Sequence, residues 1–273
     1  VILFDETIRQ STDDGTTFAD HLTSLGIVPG IKVDKGIKGI PFCDGETVTE
    51  GLDGLGDRLS EYYELGARFT KWRAVIRISD GLPSKNCIRL NAHALARYAA
   101  LCQQAKMVPI VEPEVLMDGS HDIDRCFDVT SEVLKEVFVE LNNQKVALSG
   151  IVLKPNMVIS GMDAANRADI PTVASATVKC LSENVPDEVP GIAFLSGGQT
   201  SEEATGHLNA MNEMGPHPWQ LTFSYGRALQ AEPLNAWSGE DENIPAAQES
   251  FIKRSRLNSL ARTGNYHPQM EEA

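Results

Sequence analysis

Seven short apolar runs, spread fairly evenly along the chain and each breaking into polar or glycine residues, constrain this sequence more than any other feature. They are VILFDET from Val1, GIKVD from Gly30, RFTKWRAVI from Arg68, MVPIVEPE from Met107, GIVLKPN from Gly150, GIAFLSGG from Gly191 and WQLTFSYGR from Trp219. Most are apolar nearly throughout, as strands covered on both faces are. Amphipathic stretches lie between them. Leu52, Leu55, Leu59 and Tyr62 mark one stripe, and Leu95, Tyr98, Ala99 and Cys102 a second. Ile123, Cys126, Val133, Val137 and Leu141 mark a third, at the three- and four-residue spacing of a helix face. Thr200 or Ser201, followed by Glu202 and Glu203, reads as an N-cap with acids in the first turn. Alternating strands and helices make this an α/β fold with a parallel sheet.

Units of roughly 30 to 40 residues fit a (β/α)8 TIM barrel, which spans ~250 residues and closes with eight strands. Seven runs are present, the first beginning at Val1. The expectation is therefore a barrel that is N-terminally incomplete, with residues 1–263 as the catalytic domain and 264–273 as a loose polar tail. A doubly wound sheet is the weaker alternative. Gly51, Gly54 and Gly56 approach dinucleotide-site spacing but are read as lying inside the helix of Leu52, Leu55 and Leu59, and no phosphate-loop motif occurs.

Charge excludes several functions. With 24 Lys and Arg against 38 Asp and Glu, the formal charge is −14. Nucleic-acid affinity is built from cations on phosphates, and adsorption to anionic membranes likewise, so neither partner is expected. No run approaches a membrane span, and no signal peptide opens the chain. The five cysteines are an odd, scattered set without a C-x-x-C pair, which reads as reduced core thiols in a cytosolic protein. The six histidines lack zinc-hydrolase spacing. Ser196 is no nucleophile elbow, because Phe194 stands where G-x-S-x-G needs glycine. The stretch from Asp118 to Asp122 reads as a polar turn opening a helix, and Trp72, Trp219 and Trp237 as packing residues.

The informative anomaly is charge inside the apolar runs. Lys32, Lys71, Arg73, Glu112, Glu114 and Lys154 all fall within or at the ends of strands. Alternation puts Lys71 and Arg73 on one face, and Glu112 and Glu114 on one face. One such residue would be an ordinary strand-end salt bridge. Four strands bearing them at similar depth point to a barrel mouth, where such folds carry their sites. Unpaired burial would cost several kcal/mol each, on the order of what ion desolvation demands. Lysines and Arg73 outnumber the glutamates, which suits a small phosphorylated anion. A lysine crowded by cations in a poorly solvated site has its ammonium disfavoured, leaving an amine that attacks carbonyls. Lys154 has the most apolar setting and is the leading nucleophile, with Lys71 and Lys32 as alternatives. Ser196-Gly197-Gly198 and Ser224-Tyr225-Gly226-Arg227 end the last two strands. Barrels often bind phosphate there, through glycine N–H groups and an arginine clamp.

GIKVDKG (Gly30 to Gly36), KWR (Lys71 to Arg73), VPIVEPE (Val108 to Glu114), LKPNM (Leu153 to Met157), FLSGGQ (Phe194 to Gln199) and SYGRALQ (Ser224 to Gln230) together resemble class I fructose-1,6-bisphosphate aldolase. The likeness runs in family order over essentially the whole chain. It implies a (β/α)8 barrel, cytoplasmic and homotetrameric, that needs no metal or cofactor and cleaves fructose 1,6-bisphosphate. By motif match Lys154 is the Schiff-base lysine, Glu112 the acid/base residue, and Glu114 a carboxylate beside the iminium. Lys71 serves proton transfer, Lys32 and Arg73 line the charged pocket, and Ser196, Gly197, Gly226 and Arg227 hold the phosphate at the ketose end. Two departures stand out. The family's first strand carries an aspartate that takes the C4 hydroxyl proton, with no counterpart before Val1, and the family's tail often ends in tyrosine, whereas Tyr266 aligns before that tail. The resemblance thus implies impaired cleavage by this polypeptide as it stands. A transaldolase or deoxyribose-phosphate aldolase, and a non-catalytic barrel used for binding, are the competing readings.

Overall fold

In the computed structural model, which describes residues 1–272, all seven apolar runs become strands. In chain order the first elements are β1 (Ile2–Leu3), α1 (Asp5–Ile8), α2 (Phe18–Ser24), β2 (Gly30–Lys32), β3 (Ile37–Gly39), β4 (Thr47–Thr49), α3 (Leu55–Glu64) and β5 (Phe69–Ile76). There follow α4 (Lys85–Gln104), β6 (Val108–Val115), α5 (Ile123–Asn143), β7 (Val152–Leu153), α6 (Ile170–Asn184) and β8 (Gly191–Phe194). Last come α7 (Ser201–Glu213), β9 (Gln220–Phe223), α8 (Arg227–Trp237) and α9 (Ile244–Ala261). The seven expected strands pair in the order β1-β2-β5-β6-β7-β8-β9, every pair parallel. Side chains from the ends of β5 through β9 meet in one cavity, which a flat sheet would not allow; the sheet curls as a (β/α)8 barrel does. β3 and β4 form a separate antiparallel hairpin.

Strand alternation sorts β5 into two chemical faces. Thr70, Trp72 and Ala74 are buried. Trp72 stacks on Tyr98 of α4 with ring centroids 5.5 Å apart, and the Tyr98 and Thr70 hydroxyls are 2.7 Å apart. This face belongs to the core between sheet and helices. Lys71 and Arg73 therefore project from the opposite face, towards the inside of the curl.

Several local expectations need correction. Helix α3 starts at Leu55, after Gly54 in a left-handed conformation (φ 63°), so Gly51 and Gly54 precede the helix and only Gly56 lies within it. Gly51 has φ 127°, and a Cβ there would come within 2.9 Å of the Lys35 backbone nitrogen. Leu52 packs on the core from this entry turn. Trp237 is not a packing residue: it is exposed along an open apolar groove between α8 and α9. The closing residues are tied down, not loose. Tyr266 is buried, and Glu271 accepts hydrogen bonds from Tyr266 and from the buried Arg254 guanidinium, which also pairs with Glu232. Long-range ion pairing of this kind leaves no periodic trace in sequence.

The α7 cap matches expectation, as do four of the cysteines; Cys43 is only half-buried and not a core thiol. All five thiols are free, and burial pushes Cys87 and Cys180 up to about 11 and Cys102 up to about 12. At the start of α7, Thr200 Oγ1 accepts from the Glu203 N–H at 3.1 Å while Glu203 Oε2 accepts from the Thr200 N–H at 2.9 Å, a reciprocal capping box. Thr200→Ala is expected to cost about 1 kcal/mol, lowering the thermal midpoint by about 2–4 °C in a domain of this size. Thr200→Ser should restore it, as calorimetry can check.

Candidate active site

Register decides which charges meet. Lys32 stands opposite Lys71, Arg73 opposite Glu112, and Val75 opposite Glu114. Partners in a parallel ladder share a face, so these side chains gather in adjacent layers inside the curl. Lys154 follows β7 directly, and its N–H donates to the Val111 carbonyl at 2.7 Å, which sets it beside Glu112. The charges open on a cavity of about 320 Å³ at the C-terminal ends of the strands. Arg73, Glu112, Glu114 and Lys154 form one side. The loop Ser196–Gln199 after β8 and the turn Tyr225–Arg227 after β9 form the other.

Glu112 is the hub. Its side chain is buried, with Oε1 2.9 Å from Lys154 Nζ and Oε2 2.8 Å from Lys71 Nζ. Glu114, also buried, accepts from Arg73 Nε, and this contact pushes the guanidinium pKa further up. Lys154 goes the other way. Its ammonium is held below the ordinary lysine value, first by burial and then by the charge of Lys71, with Glu112 pulling in the opposite direction. Both causes expected from sequence act here, and loss of water is the larger and crowding by cations the smaller. The site places an amine whose ammonium form is disfavoured against a carboxylate that can carry its proton.

The opposite wall is built for an anion. Gly198 has φ +72°, and Gly197 and Gly198 lie so close on Met117 that a Cβ at either would come within 2.3 Å of that side chain. Only glycine lets the backbone pass there. No hydrogen bond among the described residues uses the N–H of Gly197, Gly198 or Gly226. Gly226 caps α8, whose first residue is Arg227, exposed and without an ion-pair partner among the described residues. Free N–H groups, a helix N-terminus and a guanidinium on one rim form an oxyanion cradle.

Eight of the residues singled out in sequence therefore line one cavity: Arg73, Glu112, Glu114, Lys154, Ser196, Gly197, Gly226 and Arg227. Lys71 reaches it only through Glu112. Lys32 stands apart, with Nζ 2.6 Å from Asp34 and 5.9 Å over the Phe4 ring; it does not line the cavity. Asp34 escaped sequence reasoning, although it follows Lys32, the last residue of β2, by only two residues. Its charge also acts on Arg73, and its Oδ2 is buried without a partner. Gly198, Gln199 and Tyr225, from the same two motifs, line the cavity too.

The family model for class-I fructose-bisphosphate aldolase matches residues 1–273. The chain belongs to the class-I fructose-bisphosphate aldolase family. It is 55% identical over 266 residues to a probable fructose-bisphosphate aldolase class 1 of Xanthomonas axonopodis pv. citri, covering 97% of this chain and 80% of that protein. A cytosolic fructose-bisphosphate aldolase of Arabidopsis thaliana is 51% identical over 267 residues, covering 97% of this chain and 68% of the relative. Among solved structures, fructose-bisphosphate aldolase of Plasmodium falciparum, crystallised with TRAP and a small-molecule inhibitor, superposes with a TM-score of 0.95 at 50% identity, covering 97% of this chain and 77% of that one. As an aldolase-family member the chain is a class-I lyase with the barrel architecture described above, and no helix among the described residues is long and apolar enough to cross a membrane.

Proposed function

We propose that this chain cleaves fructose 1,6-bisphosphate to dihydroxyacetone phosphate and glyceraldehyde 3-phosphate through a Schiff base on Lys154, serving glycolysis and gluconeogenesis. The observation that carries this reading is the Lys154–Glu112–Lys71 chain of contacts, with Lys154 held below its ordinary pKa, facing a wall of unused backbone N–H groups. The Lys154 amine attacks the C2 carbonyl while Glu112 delivers a proton to the oxygen. Loss of water gives the iminium. The C3–C4 bond then breaks towards that electron sink, releasing the aldehyde and leaving an enamine. Protonation at C3 and hydrolysis free dihydroxyacetone phosphate and restore the amine.

In this reading Lys71 holds Glu112 in position and shares its proton traffic. Glu114, paired with Arg73, tempers the field at the iminium, and Lys32 acts from outside the cavity. Ser196, Gly197, Gly226 and Arg227 bind the phosphate of the ketose end. As the C3–C4 bond breaks, the C4 hydroxyl gives up its proton; the resemblance assigns that proton to an aspartate of the family's first strand, while Glu112 and Glu114, the only carboxylates lining the cavity among the described residues, are both held by cations. The resemblance carries with it a homotetramer, a cytoplasmic setting and independence from metals.

Reduction with borohydride in the presence of dihydroxyacetone phosphate tests the central step without requiring C3–C4 cleavage. Hydride adds to C2 of the iminium and fixes a secondary amine. Peptide mass mapping should locate the adduct on Lys154, in amounts unaffected by EDTA. An adduct on Lys71 or Lys32, or none, would overturn the assignment.

A further inference from the structure

The loop Ser196–Gln199 lines the cavity of the charged residues. A second cavity of about 410 Å³ is lined in part by Ser160, Arg167, Glu203 and His207. Two side chains of that second cavity hold the loop. Arg167 Nη2 donates to the Gly198 carbonyl at 2.8 Å, and His207 Nδ1 lies 2.7 Å from Gln199 Oε1. An amide oxygen accepts, so this contact places the imidazole proton on Nδ1. Burial holds the His207 pKa down at about 4, leaving the ring neutral near pH 7.

The geometry points to His207 and Arg167 as positioning residues that aim the glycine loop at the phosphate, and so set the affinity for the phosphorylated end of the substrate. A loop with two glycines has many backbone conformations to lose before it presents its N–H groups to a ligand. Met117 blocks movement from beneath. The bond from Arg167 fixes the Gly198 carbonyl, and the bond from His207 fixes the loop's last residue to α7. Neither residue lines the cavity of the charged residues or reaches the amine of Lys154. Pre-ordering of this kind lowers the cost of binding without touching the chemical step. The inference rests on the assignment of Ser196, Gly197, Gly226 and Arg227 to the phosphate.

The test is exchange of the C3 proton of dihydroxyacetone phosphate with deuterated solvent, which needs iminium and enamine formation only. His207→Phe keeps a ring in the space and removes the donor; Arg167→Gln alters a side chain that is 38% exposed and poses little threat to folding. Each should raise KM for dihydroxyacetone phosphate about tenfold, roughly the loss of one charge-assisted or buried hydrogen bond, with kcat within about twofold. Borohydride trapping of unphosphorylated dihydroxyacetone should not change, whereas a generally damaged site would lose both reactions together. Arg167→Lys, which keeps the cation but loses the fork, should fall between. Arg227→Gln serves as the control for the underlying assignment. If it raises KM while His207→Phe and Arg167→Gln do not, the positioning role is wrong and the phosphate assignment stands. If all three leave KM unchanged, the phosphate assignment fails and the positioning role with it.

Discussion

Lys154→Met is expected to abolish borohydride trapping and to slow C3 proton exchange on the order of 10⁴-fold or more, the scale on which loss of a covalent nucleophile acts. Methionine matches the lysine stem in volume, so the buried slot beside Leu153 and Pro155 stays filled while the amine is gone. The same change should raise stability near neutral pH. Because the folded pKa of Lys154 lies below its unfolded value of 10.5, the unfolded chain binds more protons between those two values. Stability of the parent protein therefore rises with pH through that window, and the protein bears the burden of the buried ammonium below it. The Met variant lacks this slope. Its advantage should be greatest below the lowered pKa and vanish towards pH 10.5, as urea unfolding at a series of pH values can show. Trapping by the parent protein should follow the complementary course, rising with pH and levelling off before 10.5. A Met variant that still traps ketone, or that is less stable than its parent at pH 7, would show that the amine is placed elsewhere.

How much of this was legible beforehand divides along a physical line. The seven strands could be read because strands covered on both faces leave unbroken apolar runs, and Lys71, Arg73, Glu112 and Glu114 could be read because charge has no ordinary place in such runs. The parity of their positions already assigned them to shared faces. What could not be read was anything decided between distant segments. Lys32 shares register with Lys71, yet Asp34 and Phe4 hold it away from the cavity. The β3–β4 hairpin pairs Ile37–Gly39 with Thr47–Thr49, three-residue segments too short to carry a pattern, the first of them exposed throughout. Arg254 joins α9 to Glu232 and Glu271, and so anchors residues whose composition alone suggested a free end. The apolar setting of Lys154 was legible, whereas the extent of its burial, the larger cause of its shift, is a property of the whole packed sheet.

Glu112→Gln is expected to lower the exchange rate about 10²- to 10⁴-fold, the usual contribution of a positioned general acid/base, while leaving the amine intact. Glu112 is held by two ammonium groups, and a carboxylate accepts from both at 2.9 and 2.8 Å. An amide can accept from one and must turn its NH2 towards the other, a donor against a donor. The larger consequence is electrostatic. Glu112 is the strongest influence keeping Lys154 protonated, set against burial and the charge of Lys71. Without it the Lys154 pKa falls further, so the pH midpoint of trapping should move down even as turnover drops. Release of that proton also softens the structural penalty: losing one partner of a buried pair costs about 3–5 kcal/mol when the remaining charge is stranded, but Lys154 can become neutral. The two readouts separate proton transfer from nucleophilicity, because removal of the nucleophile stops trapping at every pH. A slower exchange with the trapping midpoint moved to lower pH assigns proton transfer to Glu112. An unchanged exchange rate, or a midpoint that moves up, would mean that the carboxylate serves Lys71 alone and that another group carries the proton.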